Sequence, residues 1–167
     1  MDHWRVPAPA KLNLFLHILG RRDDGYHDIQ TAFQFIDWCD ELQFTLRKDD
    51  AITLKTTLAD LPVEENLVMK AADAFQRASG CRRGVDIYLK KNIPVGSGLG
   101  GGSSDAATTL LALNRLWEVG LSCDDVLHLG AELGADVPVF LHGHAAWAEG
   151  IGEQLTSMIL PELWYVV

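Results

Sequence analysis

Pro94-Val95-Gly96-Ser97-Gly98-Leu99-Gly100-Gly101-Gly102-Ser103-Ser104 runs without a break into Asp105-Ala106-Ala107-Thr108-Thr109-Leu110-Leu111-Ala112-Leu113. Five of the first eleven residues are glycine, two serines close the run, and a helix-forming apolar pattern follows. Glycine lets successive backbone N–H groups turn toward one spot, and a helix that begins there adds the positive end of its dipole. The stretch predicts an anion cradle, with phosphate as the ligand it suits best. A flexible linker is the competing reading, but linkers rarely join a strand to a strongly apolar helix.

Three kinds of glycine-rich phosphate loop differ in their flanks. A P-loop places Lys after its last glycine to reach the β- and γ-phosphates, whereas Gly102 is followed by Ser103. Gly96, Gly98 and Gly101 satisfy G-x-G-x-x-G, yet Trp117 is followed by Ser122-Cys123-Asp124-Asp125-Val126-Leu127, a helix start and not the acidic-ended strand of a dinucleotide fold. A protein-kinase loop lies between two strands; this one enters a helix. What is left is a glycine loop capping a helix, in which Ser103 and Ser104 add hydroxyl donors or reach a Mg²⁺.

Upstream, Val85, Ile87 and Leu89 alternate in a strand that delivers the chain to Pro94. Before it, Leu67, Ala71, Ala74, Phe75 and Ala78 fall at helical spacing over residues 66–79, with Gly80 just past the end. Phe33–Asp37 and Glu41–Arg47 read as two strands joined by a short acidic turn, and Ile52–Lys55 as a further short strand. Over residues 11–19, Leu12, Leu14, Leu16 and Ile18 alternate against Lys11, Asn13, Phe15 and His17, which predicts a strand with its leucine face buried and Lys11 and Asn13 together on the other. Gly20–Asp28 is too polar to be core and reads as a binding loop.

Downstream, Ala106, Leu110, Leu113 and Trp117 share one face of a buried helix over 103–117. Ser122 with Asp125 forms a capping-box pattern that opens a second helix, ending at Gly134. Gly134–Phe140 reads as a turn, Ala145–Glu149 as a strand, and Leu163-Trp164-Tyr165-Val166-Val167 as a strand-like run, from which a domain boundary at the end of the chain is expected.

With 167 residues, 48% apolar and 22% charged, the chain has the size and composition of one soluble globular domain. It lacks an apolar run of membrane-spanning length, and Met1–Arg5 lacks the apolar core of a signal peptide. Three scattered cysteines argue against a disulfide framework, and the cytoplasm is the expected compartment. His142 and His144 have no further ligand at metal spacing. The net charge of −9 counts against a nucleic-acid surface, and the short pairs Arg21-Arg22, Arg82-Arg83 and Lys90-Lys91 read as solvated ends; only the last lies beside the glycine loop.

The loop and its flanks resemble the P-x-x-x-G-L-(G)-S-S-A-A signature of the GHMP kinases. Pro9-Ala10-Lys11-Leu12-Asn13-Leu14, Gly25-Tyr26-His27 and Leu133-Gly134-Ala135-Asp136-Val137-Pro138-Val139-Phe140 resemble the branch of that family acting on 4-diphosphocytidyl-2-C-methyl-D-erythritol in the non-mevalonate isoprenoid route. The resemblance implies an α+β fold like the second domain of ribosomal protein S5, forming the ATP-binding N-terminal domain over residues 1–167, with a second GHMP domain absent from this chain. It also implies ATP, with Mg²⁺, as phosphate donor and a small-molecule alcohol as acceptor.

The site residues it implies follow the same segments. Pro94, Val95, Gly96, Ser97, Gly98, Leu99, Gly100, Gly101, Gly102, Ser103 and Ser104 would hold the ATP phosphates. Asp136 would take or orient the acceptor proton, and Lys11 would keep Asp136 ionised and stabilise the transferring group. Asn13 would bind the diol, Tyr26 and His27 the cytosine, with Phe33 and Gln34 lining that pocket and Asn66 and Lys90 near the adenine. Without the resemblance, Asp136 reads equally well as a turn residue satisfied by local N–H groups, Lys11 as a solvated strand residue, and Tyr26-His27 as a packed loop pair. A nucleotide-binding module without catalysis would need neither Lys11 nor Asp136, and an RNA-binding role rests only on the ribosomal fold kinship.

Overall fold

A computed structural model describes residues 4–58 and 61–161 of the chain; the strand-like run 163–167 lies outside these residues. Its elements are β1 (Trp4–Arg21), β2 (His27–Leu46), β3 (Ile52–Thr56), a 3₁₀ turn (Val63–Glu65), α1 (Leu67–Ser79), β4 (Val85–Lys90), α2 (Gly101–Leu116), α3 (Cys123–Leu133), α4 (Val137–His142), β5 (Ala146–Glu149) and β6 (Gln154–Ser157). The strands form one sheet in the order β3-β4-β2-β5-β6, with β1 paired to β2. Only β3 and β4 are parallel, joined through α1; the other pairs are antiparallel. This is the expected α+β architecture.

Alternation places Phe33, Leu42, Phe44, Leu54, Val85, Ile87 and Leu89 on the covered face of the sheet, against Val68, Ala71 and Phe75 of α1 and Ala106, Leu110 and Leu113 of α2. Alanines let the two helices approach, and Phe75 meets Trp117 at 5.8 Å between ring centroids. The helix ends follow their caps. Asn66 accepts the Val68 N–H at 2.9 Å, Gly80 closes α1 in the left-handed region, and Ser122 with Asp125 forms a complete capping box on α3.

Several elements differ from the sequence reading. Phe33–Asp37 and Glu41–Arg47 are parts of one strand, β2; the register against β1 slips between Pro9 and Ala10, whose partners are Cys39 and Ile36, so Asp37 and Trp38 bulge out of the ladder. Asp40 belongs to no turn: it is buried in β2 and bonded on both oxygens. The leucine face of β1 is reversed, with Leu14, Leu16 and Ile18 exposed at 44, 52 and 65% and Lys11 exposed at 4%. The fully buried apolar residues of β1 are Ala8 and Ala10, with Trp4 and Val6 packed partly buried against the core, all of them before Asn13. The 134–140 turn contains α4, with Pro138 tolerated in its first turn, and β6 had no sequence signal. The helix α2 begins at Gly101 instead of Ser103, which puts two glycines inside its first turn.

Candidate active site

The glycine loop folds over the N-terminus of α2 and lines a cleft of about 390 Å³. Leu58, Leu61, Leu67, Leu89, Pro94 and Val95 give the cleft an apolar side; Gly96, Ser97, Gly98 and Gly100–Ser103 give it a polar floor; Asp136 also lines it. Gly96, Gly98 and Gly100 have φ of +73°, +78° and +72°, a left-handed backbone that accounts for their spacing. No side chain caps α2, so the first-turn N–H groups of a dipole's positive end face an anion's place.

Gly100 joins three parts of the site. A Cβ there would lie 2.9 Å from the Phe140 ring and 3.1 Å from Cε of Lys11. The Lys11 N–H donates to the Leu99 carbonyl at 2.9 Å, so the backbone of β1 holds the loop while its side chain serves the other end of the site.

That side chain is the centre of a buried polar chain. Lys11 Nζ lies 3.2 Å from Asp136 Oδ2 and donates to Asn13 Oδ1 at 2.6 Å, above the Phe33 ring at 5.2 Å. Asn13 Nδ2 donates to Thr31 Oγ1 at 2.9 Å, and Thr31 donates to the Phe15 carbonyl at 2.5 Å. Asp136 occupies the N-cap position of α4 but makes no capping hydrogen bond. The turn-residue reading of Asp136 therefore fails: its carboxylate turns from the local N–H groups to Lys11 and the cleft. A carboxylate and an ammonium meeting beside an anion cradle can orient a hydroxyl and compensate developing negative charge.

Other expected site residues are placed differently. Ser104 is fully buried, its N–H bonded to the Gly100 carbonyl and its hydroxyl without a partner; it does not line the cleft, whereas Ser103 does. Leu99 contributes its carbonyl as an anchor. Phe33 is core, 2% exposed, and acts on the site only through the Lys11 ammonium above it. Tyr26 and His27 are exposed at the tip of the β1–β2 hairpin, roughly 20 Å along the strand from Asn13, and do not line the cleft. Gln34 bonds the Phe35 carbonyl, Asn66 lines the cleft while capping α1, and Lys90 is exposed outside it.

A second polar group had no sequence signal beyond the position of Lys91. Its Nζ bonds Asp40 Oδ2, closely, and Asp105 Oδ2 at 2.8 Å, below the loop. Burial pushes the Asp105 carboxyl up to about 7, with Lys91 opposing and Asp40 adding to the rise.

The similarity to known proteins covers nearly the whole chain. Residues 66–144 match the family described as GHMP kinases N terminal domain. The chain is 61% identical to the 4-diphosphocytidyl-2-C-methyl-D-erythritol kinase of Pseudomonas aeruginosa (strain UCBPP-PA14), over 97% of its own length and 57% of that protein's. It is 60% identical to the enzyme of the same name from Nitrosococcus oceani, over 96% of its length and 58% of that protein's. A crystal structure of 4-(cytidine 5'-diphospho)-2C-methyl-D-erythritol kinase, 42% identical, superposes with a TM-score of 0.80 over 95% of this chain and 56% of that one. The chain thus spans somewhat over half the length of these relatives, and it is similar in sequence to the GHMP kinase N-terminal domain over residues 66–144 and in fold to the crystal structure named above over 95% of its length.

Proposed function

We propose that the chain forms the ATP-binding half of a kinase that phosphorylates the 2-hydroxyl of 4-diphosphocytidyl-2-C-methyl-D-erythritol in isoprenoid precursor synthesis. The observation that carries this reading is the Asp136 carboxylate, unused as a cap, paired with buried Lys11 at a cleft floored by the glycine loop. Relatives at about 60% identity bearing that kinase name support the choice of acceptor. The length those relatives have beyond the matched part supports a further domain in the whole protein that completes the acceptor's wall.

In this reading the polyphosphate lies on the loop and the α2 N-terminus, and the adenine against the apolar side of the cleft. The acceptor oxygen sits by Asp136 and Lys11, with the rest of the molecule running along the β1–β2 hairpin toward Tyr26 and His27. The oxygen forms a bond to the γ-phosphorus as the bond to the bridging oxygen of ADP breaks; the electron pair leaves with ADP and the hydroxyl proton passes to Asp136. Lys11 stabilises the charge on the transferring group. Ser103, the serine of the pair that lines the cleft, would offer its hydroxyl to a magnesium ion, which would neutralise charge on the phosphates. The cytoplasm, where ATP is available, is the compartment this activity needs.

The test is phosphate transfer from ATP to 4-diphosphocytidyl-2-C-methyl-D-erythritol by this chain and by one extended beyond Val167. Transfer by at least the longer chain is expected; transfer by neither, with both folded and binding ATP, overturns the reading. Asp136→Asn is expected to lower turnover by about a thousandfold or more while leaving ATP affinity within a few-fold, which separates a kinase from a nucleotide-binding module.

A further inference from the structure

Lys91 is the cation nearest in sequence to the glycine loop, and a lysine there would ordinarily be assigned to the phosphates. Its surroundings argue otherwise. The ammonium is held between two carboxylates, Asp40 and Asp105, that are 1% and 2% exposed. With both acids ionised the three groups carry a net negative charge, and with one protonated they carry none. Either way they offer a polyphosphate no attraction, so the role of the group must lie in what it connects.

It connects both ends of the loop. Asp40, from the middle of β2, accepts the Asn92 N–H at 2.5 Å and the Ile93 N–H at 2.8 Å through Oδ1, fixing the backbone just before Pro94. Asp105 lies in α2 at the first residue past Ser104, where the loop has become helix. Lys91 bridges the two, and its own N–H is bonded to Thr57 Oγ1 at 3.0 Å. Between the clamped ends, the loop has little of its own to hold it: Ser97 Oγ donates to the Pro94 carbonyl at 2.8 Å, and the Leu99 carbonyl accepts from Lys11. Gly101 packs directly over the bridge, since a Cβ there would lie 3.1 Å from Lys91 Nζ and 3.0 Å from Ile93 Cγ2. Buried ion groups are a poor source of stability compared with apolar packing, and Asp105 Oδ1 is left buried without a partner. A group this costly that joins the two ends of one functional loop is explained by the geometry it imposes.

We infer that Asp40, Lys91 and Asp105 form a positioning latch that sets the glycine loop against the N-terminus of α2, so that the N–H groups of both converge on one bound polyphosphate. Lys91 and Asp105 also line the cleft, and the role inferred for the three residues is to position the loop and not to take part in the transfer. The inference rests on the kinase reading only for the identity of the ligand.

Two measurements on the full chain test it. The first is hydrogen exchange of the backbone amides of residues 93–104 without nucleotide, which reads the latch whatever the ligand is. Asp105→Ala is expected to speed exchange there about tenfold while amides of the hairpin at residues 14–21 stay unchanged. Asp105→Asn, which still accepts from Lys91, is expected to restore slow exchange. The second is steady-state kinetics. Asp105→Ala should raise KM for ATP about tenfold and leave KM for the second substrate within twofold, with Asp105→Asn near the parent in both. Should Asp105→Ala fail to fold, Lys91→Gln takes the same readouts with the same expectation. Unchanged exchange in the loop of a folded variant overturns the latch, as does an Asp105→Asn variant as impaired as Asp105→Ala. Failure of the kinase reading would show separately, as a parent chain with a rigid loop and no phosphate transfer.

Discussion

Two lysines stand on either side of the glycine loop, each against carboxylate, and they do opposite things. Lys11 meets one acid, Asp136, whose side chain remains 39% exposed to the cleft; Lys91 meets two acids that are sealed from solvent. The first pair keeps an acceptor and a cation available to a ligand. The second has no net positive charge to offer and ties strand, loop and helix together. Their supports differ as well: Asp40 is fixed by backbone N–H groups, while Lys11 is fixed by a relay of side chains through Asn13 and Thr31. Proximity to a phosphate loop therefore does not by itself make a lysine a phosphate ligand; the carboxylates around it decide.

The comparison breaks first at Lys11. Lys11→Met keeps the backbone N–H that holds the Leu99 carbonyl but removes the ammonium from Asp136 and Asn13. Turnover is expected to fall by about 10²–10³-fold, the cost of one preorganised charge at a transferring group. ATP affinity, measured by direct titration, should stay within a few-fold. That is the reverse of the pattern for the latch, so a Lys11 variant that lost ATP binding and kept turnover would erase the distinction between the two lysines.

The sealed lysine gives a pH dependence instead. Asp105 is raised from an ordinary 3.8 to about 7 in the folded chain by burial, which outweighs Lys91 and is reinforced by Asp40. The folded state thus binds this proton more tightly than the unfolded one between those values. The stabilisation is complete below about pH 4, declines as pH climbs toward 7, and is gone above it. Asp105→Asn removes this slope. It is expected to be more stable than the parent at pH 8 by on the order of a few kcal/mol and similar to it at pH 4, read as thermal midpoints with chelator present. Parallel pH curves for the two proteins would mean that Asp105 is not buried in its charged form.

Gly100 separates the two lysine groups, and its substitution tests whether they need that spacing. Gly100→Ala places a Cβ against Phe140 and Lys11 at a φ of +72° and is expected to cost about 2 kcal/mol of stability. Gly102, whose Cβ would meet only Leu67 at 3.5 Å, provides the control, and Gly102→Ala should be tolerated in a thermal melt.

The sequence was readable where structure is set locally. The caps at Gly80, Ser122 and Gly134, the alternation of β4 and the glycine loop between strand and helix all appear as expected. The Lys11–Asn13 pair followed from period-two alternation, and Asp136 from its motif. What the sequence hid is tertiary. The leucines of β1 alternate like a buried face, but burial depends on whether another element covers them, and Leu14, Leu16 and Ile18 are left exposed. Asp37–Asp40 has turn composition, yet pairing with β1 on one side and with β4 just beyond keeps β2 continuous. The latch joins residues 51 and 14 positions apart, a spacing that no local period announces.

The smallest effect concerns Thr31, which had no sequence signal at all and sits at the far end of the Lys11 relay. Its hydroxyl accepts from Asn13 and donates to the Phe15 carbonyl, fully buried. Thr31→Val keeps the volume and the strand preference but leaves Asn13 Nδ2 and the Phe15 oxygen without this partner, at a cost of about 1–2 kcal/mol. If the relay only stabilises the sheet, turnover per folded molecule should not change. If Asn13 is what aims the Lys11 ammonium, freeing its amide lets the ammonium drift from Asp136, and turnover should fall a few-fold with ATP affinity unchanged. The second outcome is expected, because Asn13 presents its carbonyl to Lys11 only while its amide is held on the other side. A Thr31→Ser variant, which restores the hydroxyl, should recover the lost turnover without recovering all of the stability, and that separation would distinguish aim from packing.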